Sequence, residues 1–238
     1  MRYQRVLMGV AALLFVQLLL GRAFGATITG TIKYDGEVPK FQEIKMDADP
    51  ICLSKHKEAI FPDTLVLGDG NTLANVFVRV KSGLTKKDYP APAEPVVLDQ
   101  EGCHYKPHVF GIRVGQQLKI LNPDGTLHNI HALCKVNQEF NMAMPQFRKE
   151  AVQVFDKEED FFPIKCDVHP WMASWCVVLP HPFFSVTQKD GKFTIAGLDA
   201  GTYEIEAWQE KLGTQTASVT VGADETKETN FTFSRPAK

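Results

Sequence analysis

The chain has 238 residues, 44% of them hydrophobic and 23% charged, which is the composition of a packed globular protein and excludes wholesale disorder. Its net charge of -2 gives no basic footprint for nucleic acid as a main partner. Five cysteines are an odd number, so one thiol is left over if the others pair.

Arg2 and Arg5 lead into an apolar run from Val6 to Leu20, then Gly21 and the small-residue site Ala23-Phe24-Gly25. That layout predicts a secretory signal peptide over residues 1–25. The run is shorter than a spanning helix and Gln17 interrupts it, so no stable membrane span is expected after cleavage. Loss of the segment removes three arginines and no acid, which moves the net charge to -5. The expected location is periplasmic or secreted, where thiols pair or hold metal.

After residue 26, short alternating runs recur between turn signals, the pattern of an all-β sandwich or barrel. Ile28, Gly30, Ile32 and Tyr34 alternate with Thr and Lys before Asp35-Gly36. Val76, Val78 and Val80 alternate in NVFVRV. YPAPAEP (89–95) reads as a loop, and residues 108–122 as two strands around Gly115. From 138 to 150 the pattern breaks, and DKEED (156–160) reads as a solvated charged turn. Strands resume at Asp160–Lys165 and Ser174–Leu179. Beyond His181-Pro182, five further strands follow, with Asp190-Gly191 as a hairpin signal. The expected division is one β domain over 26–180 and a second, smaller β-sandwich over 181–235.

The chemistry-bearing stretches are NPDGTLHNIH (122–131) and IKCDVHPWM (164–172). His128, Cys166, His169 and Met172 supply two imidazoles, one thiolate and one thioether. That set suits a blue-copper electron-transfer site, because thiolate and thioether together accommodate both copper oxidation states. Structural zinc selects Cys and His and does not select Met. Neither a second Cys four positions from Cys166, nor a His-x-His pair, nor a serine elbow, nor HExxH, nor a phosphate loop occurs, so an electron carrier rather than an enzyme is expected.

On LHNIH and on the Cys-x2-His-Pro-aromatic-Met loop, the block from about 103 to 179 resembles the cupredoxins, most closely the amicyanin-like branch. The resemblance implies a Greek-key β-sandwich with a copper core over about 96–180, to which this chain adds an N-terminal β extension that departs from the family's pattern. It implies one type 1 copper ion held by His128, Cys166 and His169, with Met172 axial. It also implies Asn129 as a hydrogen-bonding tie between the ligand loops, and His169 near the surface as an electron port in an apolar patch with Pro170 and Trp171. Redox proteins would be donor and acceptor, and the acidic mature chain would favour a basic partner face. DGKFTIAGLDAGTYEIEAW (190–208) resembles carboxypeptidase regulatory-like or transthyretin-like sandwiches, whose ligands would be glycan or protein.

Two other function classes stay open: a copper chaperone or store that adds Met142 and Met144, and an extracytoplasmic interaction or glycan-binding protein. His131, three residues after His128, points to the opposite face of a strand and is read as a non-ligand. Cys103, His104 and His108 cluster, with Cys52 and His56 as an earlier echo. A Cys52–Cys103 disulfide is favoured there over a second metal site. The resemblance implies that Cys134 and Cys176 lie on strands either side of the Cys166 strand, roughly 10 Å apart by two strand spacings, so their pairing is left open.

Overall fold

The computed structural model describes residues 25–85 and 88–235. The expected signal segment lies outside the described residues, except for Gly25. No helix among the described residues is long and apolar enough to cross a membrane.

The chain is almost entirely β. Strands β1 (Ala26–Tyr34) and β2 (Phe77–Ser82) flank a long segment that contains the one-turn helix α1 (Pro50–Ser54). Next come β3 (Val96–Asp99), β4 (Val109–Arg113), β5 (Gln117–Leu121), β6 (His128–Ala132), β7 (Phe140–Met144) and β8 (Glu150–Val154). These are followed by β9 (Glu159–Lys165), β10 (Ala173–Leu179), β11 (Phe184–Val186) and β12 (Lys192–Leu198). The series closes with β13 (Gly201–Gln209), β14 (Gly213–Val221), β15 (Thr226–Glu228) and β16 (Phe231–Phe233).

Two sheets make the site-bearing unit, in the orders β4-β10-β9-β6-β7 and β3-β5-β8. Their inward faces bury Leu98, Phe110, Ile112, Leu118, Ile120, Ile130, Phe162, Ile164 and Val178 in one apolar core. Alternation along β5 (Leu118 and Ile120 in, Gln117 and Lys119 outward) shows how a period of two assigns one face to that core.

The other unit pairs β12-β1-β15, with β16 also on β1, against β11-β2-β13-β14. Here the expected boundary at 180/181 does not hold, because β1 is the centre of one sheet and β2 lies inside the other. The physical reason is edge satisfaction. A 55-residue tail cannot cover both faces and all inner backbone groups of two sheets alone, and Ile28, Ile32, Val78 and Val80 supply the missing apolar faces. Gly30 is required in β1, because a Cβ there would meet the Thr229 carbonyl at 1.8 Å and the Phe193 ring at 2.6 Å.

Asp190-Gly191 does turn the chain, with Gly191 at φ 66° and its N–H on the Gln188 carbonyl. It is not a hairpin, however: β11 pairs with β2, while β12 pairs with β1. Turn chemistry fixes the local reversal, and the two sheets take one flanking strand each. The break expected over 138–150 is also corrected, since β7 runs through it and pairs His128 with Met144 and Ile130 with Met142 on β6. The two units meet through Phe77, Val109, Val177 and Leu179, with Phe161, Trp175, Phe184 and Trp208 packed around them. Phe161 stacks on Trp208 at 4.0 Å, and Arg79 lies over Phe161.

Candidate metal centre

The site forms where the β5–β6 and β9–β10 connections meet. β6 begins at His128, so its first side chain enters the core at the open end of the sandwich. β9 ends at Lys165, and residues 166–172 turn back into β10. That return is closed by two backbone bonds, Cys166 N–H to the Met172 carbonyl (3.2 Å) and Met172 N–H to the His169 carbonyl (2.9 Å). The short spacing therefore builds one tight loop that turns several donors inward.

His128, Cys166 and His169 come together. One ligand atom from each lies within 4.8 Å of the others, and all three residues are buried. His128 Nδ1 and His169 Nδ1 are 2.9 Å apart, and Cys166 Sγ is 3.8 Å from His169 Nδ1. Met172 is 1% exposed and belongs to the same apolar core as Cys166 and Met144. Asn129 links the two loops as the resemblance implies. Its Oδ1 accepts from Asp167 N–H (2.7 Å) and stands 3.3 Å from Cys166 Sγ, while its amide donates to Asp167 Oδ2 (3.2 Å). The Tyr105 hydroxyl donates to the Asn129 carbonyl and fixes the strand behind it.

Electrostatics at this point lower the Cys166 thiol and raise the His128 imidazole. Burial pushes the Cys166 thiol up, but the His128 hydrogen bond and nearby backbone N–H groups outweigh it and hold the thiol below its ordinary value. Burial likewise opposes charge on His128, yet hydrogen bonds to Asp124 and Cys166 raise it above the ordinary histidine value. His169 is lowered, chiefly by burial. Two imidazole nitrogens at hydrogen-bond distance beside a thiolate-prone sulfur form a donor set that fits a soft, thiophilic cation.

Two carboxylates missed by sequence reasoning complete the surroundings. Asp124 Oδ2 is 3.1 Å from His128 Nε2, and Asp49 Oδ2 is 3.0 Å from His169 Nε2. Asp49 also caps α1, which overturns the expected exposure of His169: the ring is 2% exposed under this arm. The arm is fastened by a Cys52–Cys103 disulfide with Cα atoms 5.6 Å apart, so the favoured pairing is present. Cys52 Sγ lies 3.6 Å from His169 Nε2. Pro170 is exposed, Trp171 is half-buried with its ring 5.0 Å from that of His169, and its indole N–H donates to the Cys103 carbonyl. Asp124 is the Asp of NPDG (122–125), four residues before His128, and that short spacing was a usable signal. Asp49, 120 residues before His169 in sequence, offered none.

The remaining candidates separate cleanly. His131 faces outward and meets Asp167 (3.1 Å) and Glu139 (3.4 Å), so it lies away from the centre. Among the described residues, His104 and His108 join no metal-sized cluster: His108 holds Glu210 and the Ala173 carbonyl, and His104 faces Asp63 at 3.8 Å. Met142 is half-buried with its sulfur facing Gln153. Cys134 and Cys176 are both free and buried, on strands or strand ends either side of β9. Burial pushes the Cys134 thiol up to about 12. DKEED is not simply a solvated turn. Glu159 is 4% exposed and accepts backbone N–H groups from Lys135, Val136 (3.0 Å) and Asn137 (2.8 Å).

Residues 183–229 match the family Polysaccharide lyase family 4, domain II, a stretch inside the second unit that leaves out β1 and β2. No curated protein matches the chain. Among solved structures, the chain is similar to a Cu-containing nitrite reductase from Thermus scotoductus SA-01 at 18% identity and TM-score 0.34, over 42% of this chain and 26% of that one. It thus spans about a quarter of that reductase. It is also similar to a mutant of amicyanin in the Cu(I) form (17%, TM-score 0.33, 43% of this chain and 98% of that one). A purple cupredoxin from Nitrosopumilus maritimus matches at 21% and TM-score 0.30, over 35% of this chain and 99% of that one.

Proposed function

We propose that the protein holds one copper ion through His128, Cys166, His169 and Met172 and exchanges single electrons with redox proteins outside the cytoplasm. The carrying observation is the convergence of the two buried Nδ1 atoms with the Cys166 sulfur, with Met172 buried in the same apolar core. When bound, copper would supply a one-electron couple held between thiolate and imidazole ligands. The protein's part is to keep those donors in one arrangement: the Cys166–Met172 loop bonds, the Asn129 tie and the buried walls all resist rearrangement. Export rests on the predicted signal segment, and a basic partner surface on the charge of -5 that remains without it.

A second reading, a copper store or chaperone, is favoured by one observation: the His169 edge is covered by the Asp49 arm rather than open to a partner. The visible and EPR spectra of the copper-loaded protein test both, together with voltammetry. The carrier reading expects an intense thiolate-to-copper band and a reversible couple, and Cys166→Ala should abolish the band while the β circular dichroism persists. A colourless protein that binds one copper and never cycles would sink it. Uptake of more than one Cu(I) with no reversible couple would favour the store.

A further inference from the structure

The outer nitrogen of each candidate ligand histidine meets an aspartate that has no freedom to leave. Asp124 accepts Gly102 N–H (3.0 Å) and Cys103 N–H (2.7 Å) and pairs with Lys55 Nζ at 3.1 Å, besides facing His128 Nε2. Asp49 accepts Ile51 N–H (2.8 Å), Cys52 N–H (3.2 Å) and the Thr126 hydroxyl (2.8 Å), besides facing His169 Nε2. Carboxylates held by several donors stay ionised and keep their orientation. A carboxylate only accepts, so each facing Nε2 carries the hydrogen, and the Nδ1 lone pair of each ring is turned inward.

The two Nδ1 atoms are 2.9 Å apart. Two lone pairs at that separation repel unless a proton or a metal cation lies between them. The aspartates therefore impose a ring geometry that is complete only with a cation at its centre.

Resting on the copper reading above, we infer that Asp49 and Asp124 are positioning residues of the metal centre. Each fixes one histidine in the Nε2–H tautomer with Nδ1 directed at the ion, and each adds negative charge behind the ligand. Outer carboxylates of this kind orient a ligating histidine and raise its basicity. Their charge stabilises Cu(II) over Cu(I), because the more highly charged ion gains more from a nearby anion in a poorly screened interior.

The arrangement also assigns a task to the N-terminal arm. Asp49 belongs to neither sheet; it arrives on α1, and the disulfide joins that helix to Cys103, whose own N–H is bonded to Asp124. One covalent link thus connects the supports of both histidines.

The test compares wild type, Asp49→Asn and Asp124→Asn as full-length proteins. Asn keeps the shape and the capping oxygen but removes the charge. Each substitution is expected to lower Cu(II) affinity by about 10–100-fold. If Cu(I) affinity is unchanged, the midpoint potential rises by about 59 mV for each tenfold. Long-range nitrogen NMR of the metal-free protein should place hydrogen on Nε2 of His169 in wild type and lose that single tautomer in Asp49→Asn. Asp124 also holds two backbone N–H groups, so if Asp124→Asn fails to fold, Asp49→Asn at the rim carries the test.

A blue variant with wild-type Cu(II) affinity, potential and tautomer would overturn the positioning role. If wild type itself shows no thiolate-to-copper band, the copper reading fails instead. The metal-free tautomer spectra then still decide whether the aspartates orient the rings, and a mixed tautomer in wild type would overturn that as well.

Discussion

The core around Cys166 and Met172 borders fully buried polar side chains: Asn122, Asp124, His128 and Gln100 have no exposed surface. The core of the other unit, built from Ile28, Ile32, Leu73, Val78, Phe193 and Ile205, is apolar throughout. Its buried polar neighbours include Thr187 and Gln209, which bond to backbone carbonyls of Leu73 and Thr64, and Arg79, whose Nε–H donates to the Glu206 carboxylate at 2.7 Å. Both units are antiparallel-rich sandwiches, yet one end of one of them concentrates the titratable groups. The difference teaches where selection for chemistry has overridden packing: a buried Asp–His pair is costly without its partners, and here every partner is supplied.

The comparison can be broken first at the disulfide. It closes a loop of 51 residues, and the loop-entropy relation gives about 4 kcal/mol for that length. Replacing both Cys52 and Cys103 by Ala should lower stability by about that amount in urea unfolding and should also loosen Asp49 from His169. If the urea midpoint held, the arm would be secured by its other contacts alone.

Ile205→Ala sharpens the contrast from the other side. The side chain is fully buried in the apolar core, and its truncation should cost about 2–5 kcal/mol. The copper spectrum should not change. A shifted spectrum would mean that the two units are mechanically coupled through the Phe161–Trp208 stack.

Glu159→Gln is expected to be smaller, about 1–3 kcal/mol, since it weakens a buried carboxylate that gathers three successive backbone N–H groups. Burial pushes the Glu159 carboxyl up, but those bonds outweigh it and hold it below the ordinary value. Its folded pKa lies below its unfolded one, so the contribution is present above the ordinary glutamate range and is lost as pH falls through the folded value. Acid unfolding curves should therefore be shallower for Glu159→Gln than for wild type; parallel curves would remove Glu159 from the account.

What could be read from the sequence follows the distance over which each signal acts. Cys166, His169 and Met172 lie within one loop, so their spacing announces their convergence. His128 was legible through its placement at a strand start. The all-β class was legible because alternation is local, as in β2 and β12. Other features depended on partners remote in the chain. β1 alternates as a strand should, but nothing in ATITGTIKY says that its neighbours lie near residues 192 and 226. DKEED looks like a surface turn until Glu159 meets the N–H groups of 135–137, which no composition rule contains. Asp49 resembles any helix-capping aspartate, and only the folded arm brings it to His169.

The covered His169 also has a meaning in time. With His128, Cys166, His169 and Met172 all at 3% exposure or less, none of the four donors is open to water. An incoming chelator or acceptor would find no open coordination edge to attack. Release would wait for the stapled arm to lift. How long the protein keeps its ion would then be set by the opening rate of a peptide segment, whatever the strength of the bonds beneath it.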